Sequence, residues 1–524
     1  MAQQTYQTSI FNDVLGPVMT GPSSSHTAGP GRIGYLVGSL LDNVTDIHIR
    51  FPVESSYSAT YKGQGSDRAL VGGLMGYEIT ALEFRNSLQI AQERGIRVEF
   101  SIEDLPAPHP NTAYIEISNG IEQACATSFS VGGGAIEIVE ICGAKVSIRG
   151  NSHLIAILSE HKAEDEVVCE AVLYESGTEF VRVPAEGGNA AFFKVFAKPK
   201  QGLLDTIRAK LTGGARVRYM PPVLPVEDSR DMNAPFTSGE ELQAFLQEHP
   251  MAFWEAAVEY ECNRSGWSAE KVIGYAEYLL DTMEDSIREG LKAEHKKGLF
   301  WKPAAKELYG AVKEGRAFDL GVLNYAHVYA TSIMEYNSTA GKVCAGPTAG
   351  SCGVLGGMLF SIRDTMGCSR EKMVEALLCA GLVGVFISEH ATFGAEVAAC
   401  QAENGSASCM AAAGATYLLG GSTEEILTGA ALAMQNLLGL VCDPVAGCAA
   451  IPCINRNSAA IANAVVCANL AVGGYDAVIP FDQCVEAMYS VGKMLPRELR
   501  CTGLGGLCIT EMGQKIDREF NGKK

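Results

Sequence analysis

The spacing of apolar positions changes along the chain. Up to about residue 150 the pattern is mixed. Residues 27–41 and 77–95 repeat apolar side chains at helical spacing, whereas 46–53, 96–102, 113–118 and 135–141 alternate as strands do. This predicts an α+β domain over residues 1–150. The pattern weakens over 151–219, where 166–174 and 179–183 read as strands and 203–211 as a helix. That stretch is read as a small α+β extension or a degenerate regulatory module. Residues 220–235 hold Pro221, Pro222, Pro225 and Pro235 with few large apolar residues, the make-up of a linker.

From 236 to 524 the period is helical throughout. Ser238 precedes Glu241 by three residues, and Ser422 precedes Glu425 likewise, both as capping boxes ahead of apolar runs. Residues 372–388 and 425–440 are apolar on most sides, so they belong inside a helical bundle. Three segments break this domain with Gly, Pro and polar residues: 341–353, 394–408 and 441–457. Such breaks expose backbone N–H groups and aim side chains at a site. Cysteine occurs in all three: Cys344 and Cys352; Cys400; Cys442, Cys448 and Cys453.

Composition narrows the reading. A chain of 524 residues exceeds one ordinary core. A formal charge of -19 repels phosphate backbones and disfavours nucleic acid as a partner. Residues 1–20 have neither a basic start nor an apolar core of signal type. Apolar runs such as 376–387 fall short of the roughly 20 residues that span a bilayer. The expectation is a cytoplasmic protein with no membrane partner, in which the 17 cysteines are reduced. Fourteen of them follow Phe236, so buried thiols, a redox pair and metal ligands all remain open. Their spacing fits neither a zinc ribbon nor the two ferredoxin patterns. Spacing alone leaves metal ligation and a small-residue core as alternatives.

Near the N-terminus, residues 21–31 (GPSSSHTAGPG) place hydroxyls and N–H groups ahead of a helix, where they can grip a carboxylate. His26 could transfer protons there, or could be a hydrogen-bonded histidine in a helix cap. No GxSxG elbow is present, which disfavours serine-hydrolase chemistry.

Longer strings carry a family resemblance. GPVMTGPSSSHTAGPGRIG (16–34), YKGQGSD (61–67) and HPNT (109–112) resemble the β portion of bacterial iron-sulfur L-serine dehydratases. AGPTAGSCGVLGG (345–357), CQAENGSAS (400–408), GLVCDPVAG (439–447) and IPCINRN (451–457) resemble the α portion. The order, β then α on one chain, is similar to the single-chain members. The resemblance implies an α+β N-terminal substrate-binding or regulatory domain and a mostly α-helical catalytic domain. It implies a [4Fe-4S] cluster on the residues matching the family motifs, Cys400, Cys442 and Cys453, with Cys344, Cys352 and Cys448 structural. Three thiolates leave one iron open to act as a Lewis acid on the β-hydroxyl of serine, giving pyruvate and ammonia. By motif, His26 is a catalytic candidate, and Ser24, Ser25, Thr27, Lys62, His109, Asn111 and Thr348 are substrate-binding candidates. A homodimer acting on a small amino acid is also implied. Gln64 departs from the family, since many relatives have histidine there; His390 is a second catalytic candidate that could replace it. The family's tail cysteine is absent from the ending FNGKK. These departures keep two alternatives open: a related β-elimination such as cysteine desulfidation, and a non-catalytic cluster-binding regulator.

Overall fold

The computed structural model describes residues 6–81, 83–229, 233–292 and 299–522. Two units separate by their contacts. One comprises Ser25–Val131 and Ala135–Arg230; the other comprises Met1–Ser24, Gly132–Gly134 and Asp231–Lys524.

The first unit holds two sheets. In the larger, six strands run in the order Arg97–Glu103, Asp46–Pro52, Thr112–Ser118, Gln123–Gly132, Ala135–Ile141, Ala144–Ile148. Asp46–Pro52 pairs parallel with Arg97–Glu103 and antiparallel with Thr112–Ser118, so Ile49 lies opposite both Phe100 and Ile115. Helix Gly29–Gly38 packs on Ser66–Leu74 through glycines. A Cβ on Gly73 would sit 2.2 Å from the Gly31 carbonyl oxygen, so only glycine permits this approach. The smaller sheet orders Arg216–Met220, His153–Leu158, Ala190–Val195 and Phe180–Val183, all antiparallel.

Two expectations need correction. Residues 166–174 are not a strand but part of helix Lys162–Glu175. Its β-branched content suggested a strand, yet Asp165, Cys169, Val172 and Leu173 are buried at helical spacing and form one face. Residues 77–95 are not one helix. A 3-10 turn, Glu83–Asn86, precedes the short helix Ser87–Glu93.

The second unit is mostly helical, with a two-stranded pairing of Val18–Thr20 and Lys342–Cys344. Helix Arg370–His390 is long and apolar enough to cross a membrane, but 78% of its apolar window is buried within the protein. It packs against Ser406–Leu418 as a core helix does. Ser238 caps its helix by accepting from Glu241 N at 3.1 Å. The Glu241 carboxylate reaches back to Thr237 N at 2.6 Å instead of the cap residue. Ser422 and Glu425 form the full reciprocal box. Their helix, Thr423–Gln435, ends before the 440 boundary that the apolar pattern suggested.

The segment up to Ser24 is bound into this unit by a buried carboxylate. Glu261 accepts from Ser9 Oγ at 2.8 Å and Ile10 N at 2.7 Å, with Arg264 at 3.9 Å; Glu261 and Arg264 side chains are both fully buried. Burial outweighs Arg264 and these hydrogen bonds, and pushes the Glu261 carboxyl up to about 7. A folded-state value above the unfolded one means stability is greatest below about 4.5 and is lost as pH rises toward about 7. Between pH 5 and pH 8, this group should cost the helical unit up to ~3 kcal/mol. Chemical denaturation at the two pH values checks this: Glu261→Gln should flatten the difference, and an unchanged difference would refute the assignment to Glu261.

Candidate metal centre

The three helix interruptions converge on a group of sulfurs. Cys400 follows Ala399, whose φ of 63° and ψ of -168° lie in a region L-residues rarely adopt. Cys400 then leads into the π-turn Gln401–Gly405. Gln401 fixes this turn to the next segment. Its N–H donates to Leu440 O at 3.0 Å, its Oε1 accepts from Gly439 N at 2.8 Å, and its Nε2 donates to Met488 O at 2.9 Å. Cys442 is held by backbone bonds to the 497–501 segment: its N–H donates to Leu499 O at 2.8 Å and its carbonyl accepts from Cys501 N at 3.0 Å. Cys453 opens helix Cys453–Val472.

The Cys400 and Cys442 sulfurs and a Glu403 carboxylate oxygen lie within 4.8 Å of one another. Ala395, Ala399, Leu440 and Leu495 pack around Cys400, Cys442 and Cys501 as a dry wall. Hydrogen bonds from Cys400 and Cys501, then burial, push the Cys442 thiol well up. Burial, then the neighbouring Cys400, does the same to Cys453. Four thiols thus gather at one place and resist ionisation unless a positive charge joins them.

One fixed cation is present. Arg456, one turn after Cys453, donates to Cys400 Sγ at 3.5 Å, Val441 O at 2.8 Å and Asp443 Oδ1 at 2.8 Å. Glu403 accepts from Thr348 Oγ1 at 2.8 Å and lies 3.9 Å from Cys400 Sγ. Burial pushes the Glu403 carboxyl up to about 7 despite Thr348 and Arg456. Asn457 links the 341–353 segment to the same helix: it donates to Gly350 O and Cys453 O, each at 2.8 Å, and accepts from Gly353 N at 3.0 Å.

The donor set suits a soft, thiophilic metal or an iron-sulfur cluster: several thiols, a dry wall and a guanidinium to offset negative charge. Cys448 is buried with its thiol turned to Ala446 O at 3.5 Å, Cys352 contacts the Met334 sulfur at 3.6 Å, and Cys344 faces Ala345 O at 3.4 Å. Cys501, Glu403 and Arg456 were missing from the sequence reading. Cys501 sits in residues 500–509 (RCTGLGGLCI), a Gly-rich break bearing cysteine like the other three, and that signal could have found it.

In the same unit, Ser24 Oγ accepts from Ala349 N at 3.2 Å, next to Thr348. His390 is exposed at its helix end and its Nε2 meets Thr237 O at 3.1 Å. The other candidates lie in the sheet unit. His26 is buried between Ser25 Oγ on Nδ1 at 2.8 Å and Ser56 Oγ on Nε2 at 3.0 Å, and burial pulls its pKa down to about 3. Thr27 Oγ1 donates to the Gln64 carbonyl at 2.6 Å. Lys62 is exposed, over the Tyr61 ring. His109 Nδ1 accepts from Asn111 N at 3.0 Å, its ring stacks on Phe129, and burial lowers its pKa to about 4. Asn111 is fully buried and donates to Ser130 O at 3.1 Å.

A buried thiol group able to hold a metal, set in a helical unit behind an α+β unit, defines a two-part metal-binding protein. The comparisons with known proteins make this specific. The serine dehydratase alpha chain family matches residues 248–508 and the serine dehydratase beta chain family matches residues 14–95. The probable L-serine dehydratase alpha chain of Bacillus subtilis is 33% identical over 288 residues, covering 55% of this chain and 96% of the relative. The probable beta chain from that organism is 42% identical over 154 residues, covering 29% of this chain and 69% of the relative. L-serine dehydratase 1 of Escherichia coli is 27% identical over 527 residues, covering 93% of this chain and 96% of the relative. The chain belongs to the L-serine dehydratase family, with the beta and alpha parts in that order on one polypeptide.

Asn457 offers a test of how the site is braced. Asn457→Ala would orphan three buried backbone groups, at a cost of about 2–3 kcal/mol. Thermal unfolding should show a melting temperature lowered by several degrees; an unchanged value would mean the bracing is redundant.

Proposed function

We propose that the chain dehydrates and deaminates L-serine to pyruvate and ammonia, with a [4Fe-4S] cluster held by Cys400, Cys442 and Cys453. The observation that carries this is the meeting of Cys400 and Cys442 in one dry thiol group, with Cys453 at the head of the adjoining helix. A cluster held by three thiolates supplies an iron with a free coordination position, a Lewis acid for the β-hydroxyl.

The remaining chemistry falls to the chain. Arg456 offsets the negative charge of the thiolates through its contact with Cys400. Ala395, Ala399, Leu440 and Leu495 exclude water. Thr348 orients the Glu403 carboxylate beside Cys400. We assign serine binding to Ser24, Ser25, Thr27, Lys62, His109, Asn111 and Thr348, by hydrogen bonding and charge. His26, neutral at physiological pH, enters as a hydrogen-bonding group that holds Ser25 and Ser56. The ring of His390 is engaged at the surface by Thr237, so it has no step in this scheme. Loss of the α-proton and hydroxyl gives 2-aminoacrylate, which tautomerises and hydrolyses in water. The family resemblance extends the proposal to a cytoplasmic homodimer.

Anaerobic purification tests the reading. Absorbance near 400 nm, iron content and pyruvate release from L-serine are the measurements. Cys400→Ser, Cys442→Ser and Cys453→Ser should each bleach the protein and lower activity at least about 100-fold, whereas Cys448→Ser should keep both. If Cys501→Ser bleaches it and Cys453→Ser does not, the ligand set is revised to include Cys501. A colourless, active protein would sink the cluster, and sulfide from L-cysteine far exceeding pyruvate from L-serine would sink the substrate. Thr348→Val, which frees Glu403, should lower kcat/KM about tenfold or more with colour retained. A bleached Thr348→Val protein would instead give Thr348 a role in holding the cluster.

A further inference from the structure

Well apart in sequence from the metal centre, the sheet unit carries a second thiol pair. Cys125 lies in strand Gln123–Gly132, and Cys142 follows strand Ala135–Ile141. Cys142 N donates to Cys125 O at 2.9 Å, which makes the two residues direct neighbours across the strands. Antiparallel residues bonded this way hold their Cα atoms ~5.5 Å apart, within the roughly 4.4–6.8 Å that a disulfide spans. Both residues are half-buried and both line a cavity of about 990 Å3.

The backbone marks Cys142 as unusual. Cys142 and Gly143 have φ of 48° and 77° and join strands whose flanking residues, Ile141 and Ala144, are paired. Such a two-residue turn favours Asn-Gly, since an L-residue with a larger side chain strains at positive φ. Cysteine stands where asparagine would be easier, and strain of this kind gathers at sites that act.

We propose that Cys125 and Cys142 are a redox-active dithiol that reacts with small zwitterionic disulfides of the cystine type entering this cavity. The wall carries both signs of charge, with Arg97, Arg216 and His48 near Glu99, Glu116 and Glu160, so it can meet both ammonium and carboxylate groups. The Cys142 thiolate attacks one sulfur of the disulfide R–S–S–R. The S–S bond breaks and one thiol, R–SH, leaves with a proton. Cys125 then loses its proton and attacks the Cys142 sulfur, forming the Cys125–Cys142 bond and releasing the second R–SH. The protein loses two electrons and the small disulfide gains them. The division of labour follows from the pair itself. A hydrogen bond from Cys125, with help from Arg216, draws Cys142 down to about 6 against the opposing effect of burial. That hydrogen bond, then burial, pushes Cys125 up, so it keeps its proton until the second step.

The test uses the full-length protein, purified anaerobically, with thiols assigned by peptide mapping so that the metal-centre cysteines are read separately. Brief iodoacetamide treatment at pH 7 should label Cys142 about tenfold or more faster than Cys262 and Cys368, which are also half-buried but whose thiols are pushed up by burial. L-cystine should yield a Cys125–Cys142 disulfide that dithiothreitol reverses. In Cys125→Ser the reaction should stop at a cysteinyl adduct on Cys142. Equal labelling of the three thiols, or cystine adducts on Cys262 or Cys368 ahead of Cys142, would overturn the proposal. So would a wild-type protein that forms no disulfide.

Discussion

A helix inside a protein can be broken only where the backbone groups released by the break find new partners. The helical unit meets that condition with three polar side chains. Gln401 closes the break before Ser406–Leu418 and joins it to residues 439–440. Asn457 closes the break before Gly353–Met366. Arg456 holds the 441–443 loop through Val441 and Asp443. Each satisfies groups that would otherwise be orphaned at a cost of about 1–3 kcal/mol. The thiols stand at these breaks, so the bracing that permits the fold also sets the positions of the sulfurs.

The same logic governs charge. Buried thiols are neutral by preference, and a cluster of them is more so, because each ionised sulfur raises the cost of the next. Arg456 is one positive charge near several sulfurs, and Asp443 claims part of it. The centre is therefore built to receive positive charge from outside the chain. That is the physical content of calling it a metal centre, and it rests on the donor set and the dry wall.

What could be read in the sequence followed the strength of the pattern. The helical period of the second half and the breaks bearing Cys400, Cys442 and Cys453 were legible, because long apolar runs interrupted by Gly and Pro are strong signals. The strand Gln123–Gly132 was not, although its burial alternates perfectly along its length. Its inward face is Ala124, Ala126, Ser128 and Ser130, so the hydrophobic alternation is hidden by small and polar residues. Helix Lys162–Glu175 was misread because Val167, Val168 and Val172 favour strands locally, and packing overrode that preference. Glu403 and Arg456 sat in quoted motifs, but no spacing rule says that a carboxylate three residues after one cysteine, or a guanidinium three after another, will turn to the sulfurs. Cys501 needed the backbone ladder to Cys442, a contact across many residues that periodicity cannot encode.

The N-terminal segment gives the chain an order of dependence. Residues up to Ser24 pair and pack with the helical unit, through Glu261 and the strand at Lys342–Cys344, yet they precede the whole of the sheet unit in sequence. A cut in the linker near residue 229 would not yield two complete units. The upstream fragment would carry away a strand and a capping segment that the downstream one needs, and Glu261 would be left without Ser9 and Ile10. The halves would have to recombine to be whole, as a lock re-forms only with its own key. Genetic fusion of the two parts thus adds proximity to a bond that the fold has already made obligatory.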